Sequence, residues 1–147
     1  MDVVASVEVP VSVEKLFDYV ADLANYPSWL EFVHKVETAS DASDIEATWL
    51  VELRARLGLF ARSKRLRMSR TICEAPRLVV FERREQDSRR HAEWVLRATI
   101  SATATGAIIE TNLHYSGSLF TGGLLERALT EQITTGRERL IQQLSAK

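Results

Sequence analysis

The sequence has 147 residues and a formal net charge of -1, with 46% hydrophobic and 27% charged residues. This length fits one domain, and the composition is typical of a globular chain and not of a disordered one. The nearly balanced charge gives no general attraction to nucleic acid or to an anionic membrane. We therefore expect a single domain over residues 1–147 that does not bind nucleic acid.

The same composition limits the environment and the chemistry of the protein. Cys73 is the one cysteine, so no internal disulfide forms, and no Cys/His pairs have the spacing of a zinc site. Residues 1–10 alternate instead of forming the apolar run of a signal peptide, and no apolar run approaches the ~20 residues of a membrane span. We expect a cytoplasmic protein without integral membrane contact, cofactor or metal.

The chain begins with a strand and a helix. Valine and alanine alternate with other residues between Val3 and Val9, which predicts a strand that Pro10 ends. Ser12 follows as a candidate N-cap, and apolar residues on one face predict a helix that runs to about Val20.

The connector after this helix is unusually apolar. Asp22 is a second N-cap candidate, and residues 23–32 predict a short helix or a pair of turns interrupted near Pro27. Tyr26, Trp29 and Phe32 are its aromatic residues. Two interpretations remain open: these rings cover one end of the core, or they form a dimer contact.

The middle of the chain is almost wholly β from Val33 onward. Period-two alternation, broken by short turns, predicts an antiparallel meander with one buried face. Met68, Arg70 and Ile72 fall in one buried row, and Arg83 falls in the row of Phe81. The predicted strands of this meander are residues 47–56, 65–72, 78–85, 91–101 and 109–116.

The last element is a long amphipathic helix over residues 124–144, preceded by Gly122 and Gly123. Its apolar positions recur at spacings of three and four, so they form a stripe that faces the sheet. The stripe consists of Leu125, Leu129, Ile133, Gly136, Leu140 and Leu144.

Several stretches resemble one known family. The pattern Asp22-x-x-x-Tyr26-Pro27-x-Trp29 after a helix, the Pro-then-apolar strand of residues 74–81 and the long terminal helix are similar to the START/Bet v 1-like (SRPBCC) superfamily, in particular to its bacterial polyketide cyclase/dehydrase and lipid-transport branch. The resemblance implies an α+β helix-grip fold. In that fold a curved antiparallel sheet of about seven strands wraps around the C-terminal helix, and two short helices follow the first strand.

The resemblance also implies a cavity between sheet and helix. Apolar loops at residues 57–60 and 119–124 are expected beside its entrance. Gly136 either lets the sheet approach the helix closely or leaves space for a ligand. The predicted cavity residues are Trp49, Val51, Met68, Phe81, Trp94, Leu96, Ala98, Leu113, Tyr115, Leu125, Leu129, Ile133 and Gly136.

Catalytic groups are not evident in the sequence. No Ser-His-Asp order and no glycine-rich phosphate loop is present. Tyr115, Arg70 and Arg83 are weak candidates because their rows face inward. A buried arginine needs a carboxylate or an anionic ligand group, but the favoured interpretation places both arginine heads in water at strand ends. His91 and His114 are expected on the solvent face.

Three functions remain open, and the first is favoured. The first is binding of an apolar small molecule: a lipid, an isoprenoid, a quinone or an aromatic polyketide. The second is an enzyme of the polyketide cyclase or dehydrase type. The third is a toxin-like or ribosome-associated protein-interaction module. The sequence is compatible with a monomer and with a homodimer.

Overall fold

A computed structural model describes residues 2–40, 45–57, 60–117 and 124–145. Most of the two loops expected beside the cavity entrance, residues 58–59 and 119–123, lies outside the described residues. The side chains of 55–57, 60–62 and 124–125 also lie outside them, and with them that of Leu125, one of the predicted cavity residues.

The described residues form one antiparallel sheet whose strand order is β1-β7-β6-β5-β4-β3-β2. This arrangement confirms the expected sheet of about seven strands, which curls into a half-barrel. Because β1 pairs with β7, the chain crosses to the opposite edge before β2 begins. The strands are β1 (Asp2–Val9), β2 (Val33–Thr38), β3 (Thr48–Leu57), β4 (Phe60–Glu74), β5 (Leu78–Arg83), β6 (Trp94–Ala102) and β7 (Ala107–Tyr115).

Two short helices make the crossing between β1 and β2. In α1 (Val13–Val20), Ser12 is the N-cap, and its hydroxyl accepts a hydrogen bond from Lys15 N at 3.2 Å. A 3₁₀ helix (Leu23–Ser28) follows, and the Asp22 carboxylate accepts a hydrogen bond from its Ala24 N at 2.9 Å. Both caps were predicted from the sequence. Residues 23–32, the 3₁₀ helix with the turn after it, are called the 3₁₀ segment below.

The long helix α2 (Leu124–Ser145) ends the described chain. Leu129, Ile133, Leu140 and Leu144 are buried along one face, as the apolar spacing predicts. The helix packs mainly against β1, where Arg137 Nε donates a hydrogen bond to the Glu8 carbonyl at 2.9 Å.

A β-bulge changes the predicted rows of β4. The pairing of β4 with β5 shifts register between Arg70 and Ile72, so two residues of β4 oppose one of β5. Ile72 is consequently 36% exposed. The expectation that Ile72 shares a buried row with Met68 is therefore wrong, because the extra residue reverses the alternation beyond it.

The described part of the chain contains no helix that is both long enough and apolar enough to cross a membrane.

Candidate ligand cavity

A cavity of about 70 Å³ lies between the sheet, the 3₁₀ segment and α2. Every strand except β5 contributes to its wall, and nearly all of the lining side chains are apolar. The cavity is lined by Val3, Leu23, Tyr26, Trp29, Leu30, Phe32, Val33, Val51, Leu53, Leu66, Met68, Trp94, Leu96, Thr111, Leu113, Leu129 and Ile133.

The 3₁₀ segment forms one wall because it is attached to α2. The backbone N–H of Phe32 donates a hydrogen bond to Gln132 Oε1 at 2.6 Å. Arg139 also forms an ion pair with Glu31 at 3.1 Å, on the surface beside this bond. The segment and the helix thus close the open side of the curled sheet together.

Two groups of aromatic rings support the wall. Trp49 contacts Phe81 edge to face with 5.6 Å between ring centroids, and Phe81 contacts Tyr26 in the same way at 6.1 Å. On the other side, the Trp94 ring lies 4.3 Å from that of Tyr115. Trp49, Phe81 and Tyr115 therefore form a second layer behind the lining residues.

The two hydroxyl groups of the wall already have partners. Tyr26 Oη donates a hydrogen bond to the Val20 carbonyl at 2.9 Å, and Thr111 Oγ1 donates one to the Ala5 carbonyl at 3.2 Å. Burial raises the pKa of Tyr26 above its ordinary value, so this phenol stays protonated at neutral pH. Neither hydroxyl is positioned as a free acid or base.

Two tryptophans of the wall have indole N–H groups without a hydrogen-bond partner among the described residues. Trp29 and Trp94 are only 1% and 2% exposed. The Nε1 atom of each is buried, and neither donates a hydrogen bond to any acceptor among the described residues. A buried donor without an acceptor costs free energy, so these two atoms lower the stability of the packed core.

The structure brings a subset of the predicted cavity residues together at this wall. Trp49, Phe81 and Tyr115 are not among the lining residues, and Ala98 is fully buried elsewhere in the sheet. The predicted residues that line the cavity are Val51, Met68, Trp94, Leu96, Leu113, Leu129 and Ile133.

Gly136 has a different role from either alternative considered above. A Cβ atom at this position would lie 2.2 Å from the Trp29 carbonyl oxygen. The glycine therefore permits a close approach between α2 and the 3₁₀ segment. It neither borders the sheet nor leaves space for a ligand.

The weak catalytic candidates do not converge on the cavity. Arg70 is half-buried and donates a hydrogen bond from Nη1 to the Ala21 carbonyl at 2.8 Å, while its guanidinium lies over the Trp49 ring. Tyr115 stacks behind Trp94. None of these side chains lines the cavity, so the structure gives no acid–base group there among the described residues.

The expectation that both arginine heads reach water is wrong for Arg83. Its side chain is 8% exposed, and Nε donates to Glu85 Oε2 at 2.6 Å. Nη1 also donates to the Ala92 carbonyl at 3.3 Å. The carboxylate that a buried arginine requires is therefore supplied by Glu85, two residues later in the chain.

The histidines on the opposite side pair with carboxylates. His91 contacts Asp87 at 2.7 Å, and this hydrogen bond lowers the pKa of the Asp87 carboxyl. His114 lies between Asp2 and Glu93. Both rings are partly exposed and away from the cavity, as the alternation predicts.

The sequence interpretation missed the contribution of the 3₁₀ segment. Its aromatic residues were interpreted as a cover for the core or a dimer contact, but Tyr26, Trp29 and Phe32 line the cavity. The sequence feature that could have indicated this role is the composition of residues 23–32, which are far more apolar than a surface loop. The remaining missed residues, such as Leu53 and Leu66, follow from the inward rows of their strands.

Nothing among the described residues suggests a competing metal or anion centre. No group of His, Cys, Asp and Glu side chains in that part of the chain could hold a metal ion. Shallow depressions exist on the outer surface, such as the one beside Lys35, Glu52 and Arg65, but charged side chains line them.

Comparisons with known proteins agree with this geometry. The model of the family described as polyketide cyclase/dehydrase and lipid transport matches residues 1–145. A search of curated proteins found no sequence that matches the chain.

Solved structures share the fold at low sequence identity. TTHA0849 from Thermus thermophilus superposes with a TM-score of 0.71 at 14% identity, over 97% of this chain and 99% of that one. A START superfamily protein from Mycobacterium smegmatis gives 0.70 at 14% identity, over 97% and 96%. The di-domain ARO/CYC StfQ from the steffimycin biosynthetic pathway gives 0.63 at 11% identity, over 98% of this chain and 50% of that one. These similarities show the START-like helix-grip fold.

Proposed function

Since the chain belongs to the polyketide cyclase/dehydrase and lipid-transport family, we propose that it binds an apolar small molecule in the cavity between the sheet, the 3₁₀ segment and α2. The observation that carries the proposal is the nearly all-apolar wall around open space inside the core. Ligand sites are typically concave and mostly apolar, with few polar groups. The ligand class covers lipids, isoprenoids, quinones and aromatic polyketides.

The size of the cavity limits how such a ligand enters. Its volume of about 70 Å³ is less than half of the roughly 150 Å³ of an apolar cavity that binds benzene. A multi-ring or lipid ligand therefore requires the walls to separate. The 3₁₀ segment is joined to α2 through the Phe32–Gln132 hydrogen bond, so a separation of these two walls would have to break that bond.

Binding without turnover is favoured over a cyclase-type reaction by the placement of the polar groups. Arg70, Arg83 and Tyr115 lie off the cavity, and the hydroxyls of Tyr26 and Thr111 donate to backbone carbonyls. A cyclase would need a group that can move a proton at the bound chain. The wall offers no such group among the described residues.

The test is a search for bound and bindable molecules. Native mass spectrometry of the purified protein, with analysis of the organic extract after denaturation, should show a reproducible apolar molecule. Naphthalene, farnesol, menadione and palmitate should then be added separately to the stripped protein. At a free concentration ten times its Kd, a ligand stabilises the fold by about 1.4 kcal/mol, which raises Tm by roughly 4 °C for a chain of this size.

Absence of binding would contradict the proposal. If only the bare chain mass appears and none of the four probes changes Tm, the cavity is a packing defect and the binding proposal is wrong. A pull-down for partner proteins would then test the protein-interaction function.

A further inference from the structure

Strand β2 forms one edge of the sheet and is paired on one side only. Among the described residues its hydrogen-bonded neighbour is β3. The opposite edge is covered, because α2 packs on β1 and Arg137 donates to the Glu8 carbonyl. Residues 34–38 of β2 are instead exposed, apart from the half-buried Val36. An edge strand of this kind presents backbone N–H and C=O groups with which a further strand can pair.

The register with β3 determines which backbone groups of β2 are free. Ala39 N donates a hydrogen bond to the Thr48 carbonyl at 2.9 Å. Backbone groups alternate in direction along an antiparallel strand, so those of the odd-numbered residues from 35 to 39 point to β3. The N–H and C=O groups of Val36 and Thr38 therefore point to the open edge.

Two opposite charges flank Val36 on the exposed face of this strand. Lys35 Nζ lies 3.0 Å from Glu37 Oε1, so both side chains project from the face of the sheet opposite to that of Val36. The two side chains are 62% and 58% exposed. A positive, a neutral and a negative residue in this order are complementary to the same three residues of a second strand that runs in the opposite direction.

We propose that β2 pairs antiparallel with β2 of a second copy of this chain, about a two-fold axis at Val36. In this register the two Val36 residues exchange backbone hydrogen bonds, and Lys35 of each copy lies opposite Glu37 of the other. These flanking positions are non-hydrogen-bonded pairs, in which opposing side chains lie closest. The interface uses the same surface on both copies, so the ion pair occurs twice. The proposal concerns assembly and does not depend on the proposed ligand.

The charges select this register and this partner. Lysine on an edge strand normally opposes pairing, because its charge loses water when another strand covers it. Here Glu37 of the second copy supplies the compensating charge. The neighbouring antiparallel registers place two Lys35 or two Glu37 side chains opposite each other, and like charges in that position are destabilising.

The dimer is weak because the paired segment is short. The register shift between Val33 and Lys35 interrupts the regular edge and limits the pairing to about residues 34–38. Small interfaces are typical of transient complexes. We therefore expect a dissociation constant on the order of 100 µM.

Sedimentation velocity of the full chain at low ionic strength tests the assembly. From about 10 µM to about 1 mM, the wild-type protein should change from monomer to dimer. Lys35→Glu and Glu37→Lys each convert both ion pairs into like-charge pairs, so each should raise the dissociation constant by at least about tenfold. An equimolar mixture of the two variants should dimerise again, because opposite charges then face each other at both positions.

Glu110→Lys is the control for net charge, since it changes the charge of the chain by the same amount as Glu37→Lys. Glu110 is exposed on β7, which has strands on both sides and no open edge. This variant should dimerise like the wild-type protein. Its mixture with Lys35→Glu should give less dimer than the mixture of Lys35→Glu with Glu37→Lys.

Amide hydrogen exchange of the wild-type protein locates the interface without any substitution. The Val36 amide should exchange several times more slowly at the higher concentration, because it is then hydrogen-bonded to the second copy. The Glu37 amide points to β3 and is the internal reference, whose exchange should not change with concentration.

Three results would overturn the proposal. One is a wild-type chain that stays monomeric at the highest concentration, as expected if β2 serves an extended segment of another protein. Another is a dimer that persists unchanged in both charge variants. The third is a dimer in which the exchange of Val36 is not slowed, since another surface then forms the contact.

Discussion

Single atoms decide the packing of α2 on the 3₁₀ segment. At Gly136 the absence of a Cβ lets the helix backbone lie against the Trp29 carbonyl, where a methyl group would sit 2.2 Å from the oxygen. That distance is far below van der Waals contact, and the obstacle is backbone, which moves less easily than a side chain. The glycine is therefore kept at a cost in helix propensity of about 1 kcal/mol.

Replacing this glycine should destabilise the protein although alanine is the better helix former. For Gly136→Ala we expect overpacking to cost about 1–3 kcal/mol, which exceeds or cancels the propensity gain of about 1 kcal/mol. Urea unfolding should therefore give a lower or, at the limit, an unchanged free energy of unfolding.

The control is Thr134→Ala, two residues earlier on the exposed face of the same helix. It should raise stability by a few tenths of a kcal/mol, because alanine is favoured and no contact with another element is lost. If Gly136→Ala stabilises the protein as Thr134→Ala does, the close approach to Trp29 is not a constraint.

For single residues, the sequence could predict which side chains are charged and which rows face inward. It could not predict which carboxylate pairs with a buried arginine. Arg83 was placed in an inward row correctly, yet its carboxylate partner two residues away could not be inferred. Glu85 lies just beyond the end of β5, where alternation no longer fixes a side chain. Only the folded chain shows that Glu85 Oε2 accepts from both Arg83 Nε and the Arg67 backbone N–H.

The Arg83–Glu85 ion pair connects β5 with β4, so its removal should affect the stability of both strands. Glu85→Ala removes the partner of a guanidinium that is 8% exposed and also frees a donor on β4. Because an unpaired buried charge is expensive, the free energy of unfolding should fall by about 2–4 kcal/mol. Thermal unfolding followed by circular dichroism should show the loss as a lower Tm.

A neighbouring ion pair provides the comparison. Glu82 lies 3.7 Å from Arg84, and both side chains are substantially exposed. Glu82→Ala should change the free energy of unfolding by less than about 1 kcal/mol, as expected for a surface pair. Equal losses of unfolding free energy in the two variants would mean that the buried Arg83–Glu85 pair contributes no more than a surface pair.

Helices and strands that are marked by short-range sequence patterns could be predicted. The caps at Ser12 and Asp22, the alternating strands and the apolar stripe of α2 each follow from short-range patterns. The bulge after Arg70 does not, because no local residue choice marks it, and it reverses the facing of Ile72. The 3₁₀ segment was recognised as apolar, but its place in the cavity wall depends on contacts with α2, about one hundred residues away.

For the whole molecule, the cavity is the point where stability and binding oppose each other. Open space inside a core forfeits contacts that packed side chains would make, so a protein selected for stability alone would fill it. Here the space is retained among otherwise closely packed residues. Retention at a stability cost is what a binding function predicts.

Filling the cavity should therefore stabilise the ligand-free protein and weaken ligand binding. Val51 lies on the cavity wall in β3, and Val51→Ile adds one methylene to that space. We expect Tm without ligand to rise by roughly 2–6 °C, since cavity-filling substitutions give about 0.5–2 kcal/mol. The affinity for naphthalene should fall, because the added group occupies volume that this probe needs.

The same change on the outer face separates filling from a general preference for isoleucine in strands. Val95 sits between the cavity residues Trp94 and Leu96 on β6, so its side chain points to the opposite face of the sheet. Val95→Ile should leave both Tm and probe affinity nearly unchanged. A Val51→Ile variant that gains stability but binds naphthalene as tightly as the wild-type protein would show that the ligand occupies another place, since the added methylene lies in the space that the ligand must enter.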